Sequence, residues 1–84
     1  MMGKDTFGVF IVEDHASFRQ SLAMLLQHED DFEVVGQAGS LKEARSFLES
    51  LDGNSNGPSV GLLDLNLPDG DGTEIIGDFQ AVNP

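Results

Sequence analysis

The stretch Val60-Gly61-Leu62-Leu63-Asp64-Leu65-Asn66-Leu67-Pro68-Asp69-Gly70-Asp71-Gly72 decides the fold. Its apolar head, Val60, Leu62 and Leu63, suits a strand buried on both faces. Pro68, Gly70 and Gly72 then forbid its continuation. Asp64 therefore stands at the carboxyl end of a central strand, the edge at which open α/β sheets bind ligands. Upstream, Phe7 to Val12 carries a second buried-strand pattern, and Val9-Phe10-Ile11-Val12 runs straight into two acids, Glu13 and Asp14. Parallel pairing of the two strands brings three carboxylates together.

Such a cluster is costly. Two unit charges ~4 Å apart repel by about 4 kcal/mol at an effective dielectric of about 20. Raised carboxylate pKa values or a bound divalent cation would relieve it. Oxygen-only ligands, few in number, favour Mg²⁺ over Zn²⁺. A carboxylate beside Mg²⁺ suits nucleophilic attack on phosphorus, because the metal neutralises the oxygens of the transferred group.

Between and beyond these strands the pattern alternates. A helix is predicted roughly from Ala16 to His28, with Phe18, Leu22, Leu25 and Leu26 on one face and Arg19, Gln20, Ala23 and Gln27 on the other. Phe32 to Ala38 reads as an edge-like strand. Ser40 and Glu43 form a capping-box pattern that opens a second helix, with Leu41, Ala44, Phe47, Leu48 and Leu51 on its apolar face. Residues 52–59 read as a flexible surface loop, and Met1 to Thr6 as a frayed start. Asp71 and Glu74 repeat the capping spacing and start a third helix through Ile75, Ile76, Phe79 and Val82, which Asn83-Pro84 ends. The order is β-α-β-α-β-α, and right-handed crossovers then impose an α/β fold with a parallel sheet covered on both faces.

These residues resemble the receiver domain of two-component response regulators, most closely the LuxR/FixJ-like type. The resemblance is carried by Phe10 to His15, Phe18-Arg19 with Leu22 and Leu25-Leu26, Phe32 to Gly36, and the run Leu62 to Gly72, in that order. It implies an open parallel sheet of flavodoxin-like type with strand order 2-1-3. It implies that Asp64 accepts a phosphoryl group from the phosphohistidine of a sensor histidine kinase. Mg²⁺ would sit on Asp14 and Asp64, on Glu13 through water, and on the backbone carbonyl of Asn66. It further implies a signalling module rather than an enzyme, controlling a transcriptional output domain absent from this chain. Residues 1–84 would be the N-terminal part of the receiver, ending where a fourth strand should begin and lacking the family's hydroxyl residue and lysine. Phosphoryl transfer should suffer without that lysine. The Asp64 strand would become an apolar edge, and a homodimer through that strand-three side is expected. The alternative is a receiver-like interaction protein that takes no phosphate.

Each acid also has a plainer role, as a strand-end or helix cap. His15 lacks a further ligand at metal spacing and is not counted as a phospho-donor or zinc ligand; His28 is a cation near a helix end. Asp69-Gly70-Asp71-Gly72 resembles a calcium loop, but the sixth position counted from Asp69 is Glu74 and the twelfth is Gln80. A D-x-D phosphatase fails because Asn66 stands where its second Asp would be.

Composition narrows the classes. At 84 residues there is room for one domain. A 39% apolar fraction with ten glycines is ordinary for a globular chain, so the net charge of -11 does not imply disorder. That charge, with only four scattered Lys and Arg, argues against nucleic-acid binding by this segment. No cysteine is present, which excludes disulfides and thiolate metal sites. Apolar runs fall short of a membrane span and no signal-peptide core opens the chain, so a cytoplasmic protein without membrane contact is expected.

Overall fold

The structure, a computed structural model, describes residues 6–51 and 58–82. The frayed start (residues 1–5), most of the predicted surface loop (52–57) and the Asn83-Pro84 helix end lie outside the described residues. So does the Val82 side chain.

Strand β1 (Phe7–Val12) is the centre, flanked by β2 (Phe32–Ala38) and β3 (Val60–Leu63), both parallel to it in the order β2-β1-β3. Helix α1 (Ala16–Gln27) joins β1 to β2, and α2 (Leu41–Ser50) follows β2. A 3₁₀ turn, Gly72–Ile75, leads into α3 (Ile76–Val82). This is the expected three-unit α/β architecture.

The pleat of β1 sorts the core into two layers. Phe10 and Val12 pack with Ala38, Leu41, Ala44, Leu48, Leu67 and Ile75 on the side of α2 and α3. Val9 and Ile11 pack with Ala23 of α1 on the other side. Phe47 stacks on Phe10 with ring centroids 4.4 Å apart. Half of the capping box expected at α2 is present: Ser40 Oγ accepts from the Glu43 N–H at 3.1 Å, whereas Glu43 Oε1 accepts from the N–H of Gly39, not of Ser40, at 2.9 Å.

Helix α1 is rolled from the predicted orientation. Ala23, expected outward, is buried, whereas Phe18 and Leu25, expected inward, are 54% and 66% exposed. Arg19 faces inward with Ala23, its Nη1 donating to the Glu13 carbonyl at 2.6 Å. The inward stripe is thus Arg19, Leu22, Ala23 and Leu26, spaced i, i+3, i+4, i+7. Strand β3 also differs from a strand buried on both faces. Among the described residues it pairs only with β1, and Leu62 is 36% exposed. A short hairpin, β4 (Asn66–Leu67) with β5 (Gly70–Asp71), was not foreseen in what read as a bare loop.

Candidate functional site

The parallel register sets β1 and β3 level at their carboxyl ends, with Val12 opposite Leu63. Each strand then hands on one more backbone bond before its acid. Glu13 N–H donates to the Ala38 carbonyl and Asp64 N–H to the Val12 carbonyl, both at 2.9 Å. The sheet itself therefore fixes the main chain of both acids.

Glu13, Asp14, His15 and Asp64 each offer a ligand atom, and all four atoms lie within 4.8 Å of one another. Three of them are the acids expected to converge. His15, set aside on sequence grounds, joins them because the N-terminal residue of a helix turn lies beside the acids that precede it. Its Nδ1 is 2.9 Å from Glu13 Oε2 and 3.1 Å from Asp14 Oδ1.

Electrostatic relief takes a form the sequence did not suggest. Raised carboxylate pKa values were one of the two expected reliefs, a bound divalent cation the other. Glu13, only 9% exposed, moves down instead. The His15 backbone N–H, 3.0 Å from Oε2, is the main cause, followed by the His15 side chain, with burial opposing both. The His15 imidazole is correspondingly raised, first by its bond to Glu13 and then by the Asp14 charge.

Asp14 Oδ1 is buried and meets no hydrogen-bond donor among the described residues beyond the ion-pair contact with His15 Nδ1 at 3.1 Å. A buried carboxylate oxygen so sparsely partnered, inside a set whose acids are all oxygen donors, fits a hard divalent cation. Asp64 Oδ1 accepts the Asn66 backbone N–H at 3.0 Å. Asn66 is thus next to the cluster, but through its amide; its side chain is exposed.

Behind Asp64, Asp71 performs the predicted cap: its Oδ1 accepts from the Thr73 N–H at 2.9 Å, and its own N–H donates to Glu74 Oε2 at 3.2 Å. Gly70 has φ +150°, a conformation that favours glycine. The D-G-D-G run is therefore a hairpin end and helix start.

Residues 9–84 match the family of the response regulator receiver domain. The chain belongs to that family. This receiver is 38% identical over 76 residues to the DNA-binding transcriptional activator DevR/DosR of Mycobacterium tuberculosis, covering 90% of the chain and 33% of that protein. It is 38% identical over 69 residues to the transcriptional regulatory protein BtsR of Salmonella typhi, covering 82% of the chain and 27% of that protein. A third relative, 32% identical over 76 residues, is the protein-glutamate methylesterase/protein-glutamine glutaminase of Agrobacterium fabrum, with 90% of the chain and 20% of that protein covered. The chain spans about a third or less of the length of these curated relatives.

The third relative corrects one expectation. The receiver pattern was read as the mark of a signalling module rather than an enzyme, yet proteins named for an esterase and glutaminase activity contain a similar segment. A receiver does not exclude an enzyme. As a receiver of response regulators, the chain has a phospho-acceptor role in signal transduction. No helix among the described residues is long and apolar enough to cross a membrane.

Proposed function

We propose that residues 1–84 form the N-terminal part of a LuxR/FixJ-like receiver in which Asp64 accepts the phosphoryl group. The observation that carries this is the placement of Asp64 at the end of β3, level with Glu13 and Asp14 and within their reach. Its donor is the phosphohistidine of a sensor histidine kinase in the cytoplasm. Its readout is a transcriptional output domain, by analogy with the relatives named as transcription regulators.

Asp64 uses its two oxygens differently. Oδ1 is held by the Asn66 N–H, so Oδ2 is the nucleophile. It attacks phosphorus in line; an O–P bond forms as the P–N bond to the imidazole breaks, and the imidazole leaves with the bonding pair and takes up a proton. The Asn66 N–H keeps Oδ2 aimed during this exchange. Glu13, Asp14 and Asp64, with the Asn66 carbonyl, would hold Mg²⁺, which when bound neutralises charge on the transferred oxygens. His15, whose imidazole pKa is raised first by its bond to Glu13, lies against both Glu13 and Asp14.

Acetyl phosphate tests the acceptor without the kinase. The full-length protein should gain the mass of one phosphate, and Asp64→Ala should abolish the gain. Label that persists in Asp64→Ala, or that maps to His15, overturns the assignment.

The outer side of β3 supports a second proposal, a homodimer. Leu62 and Ile76 are 36% and 43% exposed there. An open groove of about 270 Å³, lined by Phe10, Val12, Gly61, Leu63, Ile75 and Phe79, runs beside them.

A further inference from the structure

The hairpin behind Asp64 is fastened to a helix from a different βα unit. Asp69 lies at its tip, 28 residues beyond α2's first residue. Its Oδ1 accepts the Leu41 N–H at 2.8 Å and its Oδ2 the Lys42 N–H at 2.9 Å. Ser40 Oγ takes the Glu43 N–H. The first three donors of α2 are therefore all satisfied, two of them by a residue remote in sequence. These two bonds lower the Asp69 carboxyl pKa, the Leu41 bond most.

The same hairpin is pinned at two further points. Leu67 is buried in the core beside Leu41. A methyl at Gly70 would meet Leu41 Cδ1 at 2.7 Å, so main chain and helix are in close contact. The hairpin's other end begins at Asn66, whose N–H holds Asp64 Oδ1.

We propose that Asp69 is a positioning residue for Asp64: by clamping the tip of the 66–71 hairpin to the first turn of α2, it fixes the main chain from which the Asn66 amide aims the acceptor carboxylate. This rests on the reading of Asp64 as acceptor. Asp69 touches neither phosphoryl donor nor cation; it acts through five residues of backbone. The carboxylate suits this task because its two oxygens engage two successive N–H groups at once, and because a negative charge is favoured at a helix N-terminus.

The test compares Asp69→Ala and Asp69→Asn with the native full-length protein, each below its own melting temperature. The rate of Asp64-dependent labelling by acetyl phosphate is measured across donor concentrations, together with the amide resonances of Leu41, Lys42 and Asn66. Asp69→Ala should lower the maximal rate by about tenfold or more, the scale of a displaced acceptor, with little change in the half-saturating donor concentration. The Asn66 amide should shift along with those of Leu41 and Lys42. Asp69→Asn keeps one oxygen acceptor and should fall between. A native labelling rate in either folded variant, or an Asn66 amide that stays put, overturns the proposal. If Asp69→Ala does not fold, Asp69→Asn decides by the same two readouts. If labelling proves independent of Asp64, the acceptor reading is what fails, and the Asn66 amide alone then decides the clamp.

Discussion

Gly72 lies directly against the main-chain carbonyl of Asp64, so closely that a methyl group on its α-carbon would overlap the carbonyl oxygen and stand 3.0 Å from the carbon. The Gly72 N–H donates to the Leu65 carbonyl at 2.9 Å, locking the approach. Gly72→Ala should therefore push the acceptor strand end away from its place. Overpacking of this kind costs about 1–3 kcal/mol. The expected result is a urea midpoint lowered accordingly, with labelling of Asp64 by acetyl phosphate reduced beyond what the stability loss explains. An unchanged midpoint would show that the contact gives way freely.

Cation binding should be visible in stability. Ligands that bind only the folded state add RT ln(1 + [L]/Kd), about 1.4 kcal/mol at tenfold Kd. The protein should melt higher in MgCl₂ than in NaCl of equal ionic strength. Asp14→Asn, which removes the negative charge at this buried position, should erase most of the difference. Equal melting in both salts would count against a metal site at Glu13, Asp14 and Asp64.

The pH dependence has two limbs, read without added divalent cation. Glu13, Asp69 and Asp71 are all lowered on folding. Their contributions are present above the ordinary values of 4.5 and 3.8 and are lost as pH falls below them. His15 is raised, so its contribution is full below the ordinary 6.5 and lost as pH rises through the higher folded value. Urea midpoints measured from about pH 2 to 9 should fall at both ends. Asp69→Asn should flatten the acid limb and His15→Ala the alkaline one; a variant that leaves its limb unaltered would dissociate that group from it.

The three-strand order and the meeting of Glu13, Asp14 and Asp64 were legible because both come from local pattern. Two apolar strand runs end in acids, and parallel neighbours must end side by side. The roll of α1 was not legible, because apolar spacing alone allows Phe18 or Ala23 to face the sheet; in the fold Ala23 does, with Arg19 reaching the Glu13 carbonyl. The Asp69 clamp escaped for a related reason. Nothing near Asp69 in sequence marks a partner, since its partners are the amides of Leu41 and Lys42. His15 was dismissed on ligand spacing, which counts residues along a chain and misses a turn that folds a side chain back onto its neighbours.

Assembly through β3 can be decided by dilution. The strand has four residues, so edge pairing alone is far below the roughly 1,000 Å² that a stable interface needs. The faces beside it must join, Leu62 and the groove walls Ile75 and Phe79 on one side, and Phe18 with Leu22 on the other. At about 25 cal/mol per Å², burying even ~200 Å² of apolar surface contributes about 5 kcal/mol. The charge of -11 on each chain opposes this, but salt screens it beyond ~8–10 Å. The melting temperature should therefore rise with protein concentration and with salt. Leu62→Lys, which charges the exposed edge, should abolish the concentration dependence while leaving β1 and the acid cluster intact. A monodisperse monomer at high concentration, with a cooperative melt unaffected by dilution, would overturn the dimer.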